Sequence, residues 1–276
     1  MSRDTNFYYS FLVLTPIKRR AIIAVWDFFR AVDDAVDIPA MNGTQLETHE
    51  LANALESWRS ELTCCFGVDS PKTLQGQRLK LYIDRFKLPR QPFDDLIDGI
   101  WMDLGVCRYK TFDDLYEYCV RVASAVGLIC IEIFGYSDPK ARDYAVSLGV
   151  ALQLTNIIRD VQNDLASGRI YIPLDDLETF GVTENDLRMG ISESVRNLLA
   201  FECKRASSFY SKAKKTLPTK DARRLVAAKI MSSIYFDILH QIKRRNYDVF
   251  SETVSISRPR RALITCYVWL QTMLCR

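Results

Sequence analysis

Two short segments carry the chemistry of this chain. Arg30-Ala-Val-Asp33-Asp34-Ala-Val-Asp37 sets Asp33 and Asp37 four residues apart, and Gln153-Leu-Thr-Asn156-Ile-Ile-Arg159-Asp160-Val-Gln-Asn-Asp164 repeats that spacing through Asn156, Asp160 and Asp164. On a helix, residues four apart stack on one face, one turn above the other. Like charges stacked this way repel, so each pair needs a cation or full solvation. Apolar neighbours on both sides argue against full solvation. Carboxylate and amide oxygens suit magnesium, which takes one or two carboxylates, retained waters and phosphate oxygens rather than a closed protein cage. A single DxxxD is more often a solvated or salt-bridged face, but two of them in apolar helix, each with arginine close by, favour a metal-diphosphate site. Arg30, Arg159 and Arg169 read either as helix salt bridges or as diphosphate clamps.

These residue types fit ionisation of an allylic diphosphate. Cations and arginines neutralise the charge that builds on the departing group, and the carbocation left behind needs an apolar pocket that excludes water. Val122, Ala123, Val126, Gly127, Leu148 and Leu152 place small and branched apolar groups at helical spacing close to the second stripe, as pocket lining or ordinary core.

The elements that must hold these residues are helices. Apolar positions recur at helical spacing, sustained alternation is absent, and glycine and proline are sparse at 11 and 9. The spacing predicts an all-α fold, with helices over about Lys18–Ile38, Thr48–Phe66, Gly76–Phe86, Gln91–Cys107, Thr111–Phe134, Pro139–Ala166, Ile191–Thr216, Thr219–Asn246 and Arg258–Cys275. Turn chemistry at Pro39, Asn42-Gly43, Asp69-Ser70-Pro71, Leu88-Pro89, Ser137-Asp138-Pro139, Pro173 and Leu217-Pro218 separates them. No linker or repeat divides residues 1–276, so one helical domain is expected. The longest irregular stretch, Ser167–Asp186, comes directly after the second stripe and is a candidate lid.

Bulk composition excludes more than it assigns. The 276 residues are 48% hydrophobic, enough for a large core, and 37 basic against 34 acidic side chains give no reason to expect a nucleic-acid partner. Eight cysteines without a CxxC spacing read as free thiols in a reducing compartment, and two histidines outside any Cys/His cluster leave no material for zinc. The N-terminal residues lack a secretory pattern, which points to the cytoplasm. Ala262–Leu274 is apolar but too short to span a bilayer; it reads as a final core helix, with peripheral contact at the inner membrane as the lesser alternative.

The run Val25–Asp37, the run Asn156-Ile-Ile-Arg-Asp-Val-Gln-Asn-Asp-Leu-Ala-Ser-Gly-Arg-Ile-Tyr-Ile-Pro173 and Tyr118-Cys-Val-Arg-Val-Ala-Ser-Ala-Val-Gly127 resemble the squalene/phytoene synthase family over nearly the whole chain. Arg121–Leu128, Phe134–Tyr144, Ile234–Phe250 and Ser255–Arg260 look most like its bacterial presqualene diphosphate synthases of hopanoid biosynthesis. The resemblance implies a class I isoprenoid synthase bundle with a central cavity. It implies magnesium, with manganese as a substitute, bound through Asp33, Asp37, Asn156, Asp160 and Asp164, and no NADPH. By the same likeness Arg30, Gln153, Arg159, Arg169, Asn6 and Phe7 would hold substrate, Tyr118 would face the cavity, and Tyr247 would meet diphosphate or the reacting centre. The implied reaction joins two farnesyl diphosphates head to head into presqualene diphosphate, in a monomer or weak dimer. Trp26 stands where relatives commonly carry tyrosine, so no hydroxyl acts there, and Ser124 stands where phytoene-type relatives carry glycine. The alternatives are a phytoene or dehydrosqualene synthase using a C20 or C15 diphosphate and, from another class, a non-catalytic assembly or binding protein on the same fold.

Overall fold

A computed structural model of the chain describes residues 6–41, 48–103 and 108–274, without the side chains of residues 6, 36–41 and 48. Among the described residues every named element is helical: α1 (Asn6–Phe11), α2 (Pro16–Met41), α3 (Thr48–Phe66), α4 (Leu74–Phe86), α5 (Gln91–Met102), α6 (Phe112–Cys119), α7 (Ala125–Phe134), α8 (Lys140–Ala166), α9 (Leu174–Thr179), α10 (Glu184–Met189), α11 (Glu193–Thr216), α12 (Val226–Arg244) and α13 (Arg258–Leu274). The expected all-α domain is present. Side chains start several of these helices: Thr73 accepts from Gly76 N at 2.9 Å, Ser192 accepts from Val195 N at 3.2 Å, and capping boxes pair Thr111 with Asp114 and Thr183 with Asp186.

The long helix expected over Thr111–Phe134 changes character in its middle, where Val120–Ser124 forms a π-helical turn. Such a turn inserts one residue and rotates the helix beyond it, and it occurs mostly at functional sites. α2 runs on through Pro39 to Met41, past the expected break. The Ser167–Asp186 stretch is not a free lid. It contains α9 and the start of α10, and arginines pin it: Arg108 bonds Glu184 at 2.8 and 3.1 Å and Gly168 O at 3.0 Å, while Arg205 grips Asp176 at 2.6 and 3.1 Å. Helices of six residues span too few turns for apolar periodicity to reveal them.

α8 is the axis of the molecule. Its residues Tyr144, Ala145, Ser147, Leu148, Gly149, Val150 and Ala151 are all buried, so nearly every face is covered, by α11, α7, the π-turn and α12. Gly149 permits that closeness, since a Cβ there would sit 2.5 Å from Ser124 Cα. Ser124 Oγ donates to Val146 O at 2.8 Å across the same contact. Buried Asp221 accepts from the Ser137 and Asp138 amides at 2.9 Å, tying the α7–α8 turn to the start of the C-terminal helices.

α13 is not the core helix the sequence led us to expect. It packs on α12 and α1 through Arg261, Thr265, Val268 and Thr272, and much of its apolar surface faces outward.

Candidate active site

Helices α1, α2, α5, α7, α8 and α12 and the π-turn enclose a cavity of about 460 Å³. Val122, Ala123, Val126 and Gly127 line one side and Leu148 and Leu152 another, so the six apolar positions singled out in the sequence converge. Polar residues gather at one end: Asp33 from α2, Asp103 after α5, Tyr118 from α6, Gln153 and Asn156 from α8, and Arg169 and Tyr171 beyond it. Phe134 and Tyr144 line the cavity elsewhere. Tyr144 lies twelve residues before Asn156 on α8, about 18 Å along the axis at 1.5 Å per residue. The space is therefore long, apolar for most of its length and polar at one end.

The α8 stripe is electrostatically strained. Burial pushes the Asp164 carboxyl up to about 7, the charges of Asp160 and Asp103 push the same way, and Arg169 and Arg159 pull back. Arg159 bonds Asp160 through Nε at 2.8 Å. Burial works against the Arg159 charge, but Asp160 and Tyr235 raise its affinity for the proton overall. Among the described residues Asn156 Oδ1 is buried without a hydrogen-bond partner. An orphaned acceptor beside two acids is completed by a donor or a cation.

These donors fit magnesium. No three His, Cys, Asp or Glu side chains among the described residues converge closely enough to hold an ion alone, so further ligands would have to be water or substrate oxygens.

Opposite the stripe, Tyr118 and Tyr171 donate their hydroxyls to Asp103 at 2.8 and 2.9 Å, and their rings stack with centroids 5.3 Å apart. Burial, and then the charge of Asp103, raises the Tyr118 phenol well above its ordinary value, so it stays a neutral donor.

Of the residues singled out in the sequence, Phe7, Asp33, Tyr118, Gln153, Asn156 and Arg169 line the cavity. Asp160, Asp164 and Arg159 are not among the lining residues; they continue α8 three to eight residues beyond Asn156. Arg30 does not line the cavity; it lies exposed and faces Asp34 at 3.7 Å. Tyr247, in a left-handed turn after α12, is also absent from the lining. The side chains of Asp37 and Asn6 lie outside the described residues.

Asp103, Tyr171, Tyr235 and Tyr144 were not singled out as site residues. For Asp103 a signal exists: an acid closing an apolar helix sits where the helix dipole disfavours it.

A squalene/phytoene synthase family model matches residues 1–260. The chain belongs to the squalene/phytoene synthase family. It is 37% identical over 281 residues to a 15-cis-phytoene synthase of Synechocystis sp., covering 96% of this chain and 81% of that protein. A phytoene synthase of Arthrospira platensis is 38% identical, covering 90% of this chain and 82% of its own length. Among solved structures, a dehydrosqualene synthase in complex with ligand superposes with a TM-score of 0.85 at 27% identity, covering 98% of this chain and 92% of that one. The squalene synthase HpnC from Alicyclobacillus acidocaldarius superposes at 0.76 with 31% identity, covering 88% and 89%. Membership makes this chain an isoprenoid transferase and accounts for an apolar cavity with acids at one end. Trp26 lines the cavity with its ring 4.8 Å from that of Phe7. Indole thus supplies shape and apolar surface at this point of the cavity.

Proposed function

We propose that the chain condenses two prenyl diphosphates head to head, with farnesyl diphosphate as substrate and presqualene diphosphate as product. The observation that carries this reading is one cavity that joins Asp33, Asn156 and Arg169 to a long apolar space. Asp33, Asp37, Asn156, Asp160 and Asp164 would hold magnesium, which when bound supplies positive charge against the departing diphosphate. Arg169 lies where a diphosphate oxygen can be met. The C1–O bond of one substrate breaks and releases pyrophosphate. The C2=C3 double bond of the other attacks the resulting allylic cation, and loss of one proton closes a cyclopropane. The apolar walls from Val122 to Leu152 exclude water that would otherwise quench the cation. Tyr118, a neutral phenol fixed on Asp103, offers a positioned hydroxyl at the polar end.

The phytoene synthases among the relatives favour a second reading, in which two C20 diphosphates react and the product is phytoene. Both readings are tested by incubating purified protein with magnesium and either the C15 or the C20 diphosphate, without reductant, and identifying the products. Presqualene diphosphate supports the first reading; dehydrosqualene or phytoene replaces it. Absence of pyrophosphate release from either substrate refutes both and leaves a non-catalytic binding protein.

A further inference from the structure

Three stretches of helix run the length of the cavity, each with its polar residue at the same end: α2 lines it from Ile22 to Asp33, α7 and α6 from Phe134 to Tyr118, and α8 from Tyr144 to Asn156. The opposite end is formed around Phe134 and Tyr144. These are the last residue of α7 and the first of α8 to line the cavity, and they stand on either side of the turn that joins the two helices. That turn is held in place. Lys18 Nζ donates to Phe134 O at 2.6 Å, and Asp221 accepts from the Ser137 and Asp138 amides.

A polar atom at this end has no task in the fold. Tyr144 is 3% exposed, and its hydroxyl has no hydrogen-bond partner among the described residues. Burial raises the phenol above its ordinary value, so it stays a neutral donor. A buried donor left unpaired costs stability, and proteins keep such groups chiefly where function uses them. Water does not fit: an ordered water needs two or more polar partners, and the side chains that share this end with Tyr144, Ile22, Ile131 and Phe134, offer none. The partner must arrive with whatever fills the cavity.

The length of α8 says which part of a ligand reaches this point. Tyr144 lies about 18 Å from Asn156 along the axis. An extended carbon chain advances about 1.25 Å per bond, so the main chain of a C15 prenyl group is about 14 Å long and that of a C20 group about 19 Å. A C15 chain leaves about 4 Å for the diphosphate linkage and ends beside Tyr144, whereas a C20 chain runs past it. At the end of a prenyl chain the group able to accept a hydrogen bond is the π face of its last double bond.

We propose that Tyr144 is a specificity-determining residue: its O–H donates to the terminal double bond of one of the two prenyl chains, so that the cavity selects a C15 chain with an unsaturated end. This rests on the condensation reading above and adds the feature of the substrate that the far end of the cavity recognises. A contact of this kind is weak in itself. Discrimination is reinforced because a saturated end leaves the hydroxyl buried and unpaired. Phenylalanine would fill the same space without that cost, which makes the hydroxyl, rather than the ring, the informative feature.

The test is titration calorimetry of the full chain with magnesium and farnesyl thiolodiphosphate, which binds without ionising, against the analogue whose terminal double bond is reduced. Wild type should bind the unsaturated chain at least about threefold more tightly, and Tyr144→Phe should bind the two alike. Tyr144→Ala, which opens this end, should favour the C20 thiolodiphosphate over the C15 one at least about tenfold more than wild type does. If the alanine variant does not fold, the phenylalanine variant decides. Equal binding of the two C15 chains by wild type, a preference that Tyr144→Phe retains, or an unchanged C20-to-C15 ratio in folded Tyr144→Ala overturns the inference and leaves the condensation reading intact. No binding of any prenyl thiolodiphosphate overturns the condensation reading, and selection by Tyr144 falls with it.

Discussion

Replacing Asp164 by asparagine should make the metal-free protein more stable at pH 8 while removing its activity. The ordinary carboxyl pKa of 3.8 rises to about 7 in the folded chain. Between roughly pH 4 and 7 the folded state thus keeps a proton that the unfolded chain has released. The stability linked to that proton is present at low pH and lost as pH rises through 7. A rise of this size corresponds to about 4 kcal/mol at 1.4 kcal/mol per tenfold change. Asp164 is only half-buried, and solvent screening reduces the figure to about 2 kcal/mol. Asparagine has the same shape and no charge, so it should relieve that strain. For a chain of this length the gain is about 4–8 °C in Tm.

The assay is thermal unfolding of wild type and Asp164→Asn from pH 4 to 8 in a chelator. The two curves should coincide near pH 4, draw apart progressively between about pH 4 and 7, and stay apart above it. Magnesium should then raise the wild-type Tm at pH 8 and move the variant less, since the cation does for the carboxylate what the substitution does. Asp33, exposed on α2, supplies the control: Asp33→Asn should leave the melt within about 0.5 kcal/mol of wild type. A difference between wild type and Asp164→Asn that does not change with pH, or a less stable variant at pH 8, would refute the reasoning.

Asp160→Asn should cut turnover at least about 100-fold, measured as pyrophosphate release, while the far-UV circular dichroism stays that of wild type, because the asparagine can still accept from Arg159. Gly149→Ala should destabilise by about 2 kcal/mol or more in chemical unfolding, since the new methyl meets Ser124 backbone atoms at 2.5 and 2.7 Å and neither helix can withdraw. Tyr144→Phe should be neutral or stabilise by about 1 kcal/mol in the same assay, because the buried Tyr144 hydroxyl has no hydrogen-bond partner among the described residues.

The long helices were legible in the sequence because each carries enough turns for its apolar period to repeat. Thr48–Phe66 has the bounds that spacing and turn residues suggested, and α8 and α11 differ from theirs by one or two residues. What escaped was short or locally irregular. α1, α9 and α10 have six residues each, and the π-turn in Val120–Ser124 differs from α-helix by one inserted residue that no periodicity resolves. The lid reading failed because the ties that pin Ser167–Asp186 come from Arg108 and Arg205, distant in sequence and unremarkable there. α13 was misjudged because a run of apolar residues shows that a helix has an apolar face but not which way the face points. The inward positions are an arginine and two threonines beside a single valine.

At the site, sequence found the residues whose types are unusual in a repeated pattern and missed those whose meaning depends on a neighbour. Asn156, Asp160 and Asp164 form a stripe in any helix, so their association needs no tertiary structure. Asp103 gains its place only when α5 ends beside Tyr118 and Tyr171, which come from opposite sides of the π-turn and α8. Its charge is then felt by Asp164, so a third acid adds to the two helical motifs. Arg30 illustrates the converse. Its place beside Asp33 allowed either a helix salt bridge or a diphosphate clamp, and here Asp34, one residue further, takes it as an i, i+4 partner at the surface. The two halves of the acidic pair thus differ in kind: Asp33 is exposed on α2, whereas the α8 stripe holds a carboxyl that burial keeps protonated to about pH 7, so most of the free energy of metal binding should come from that side.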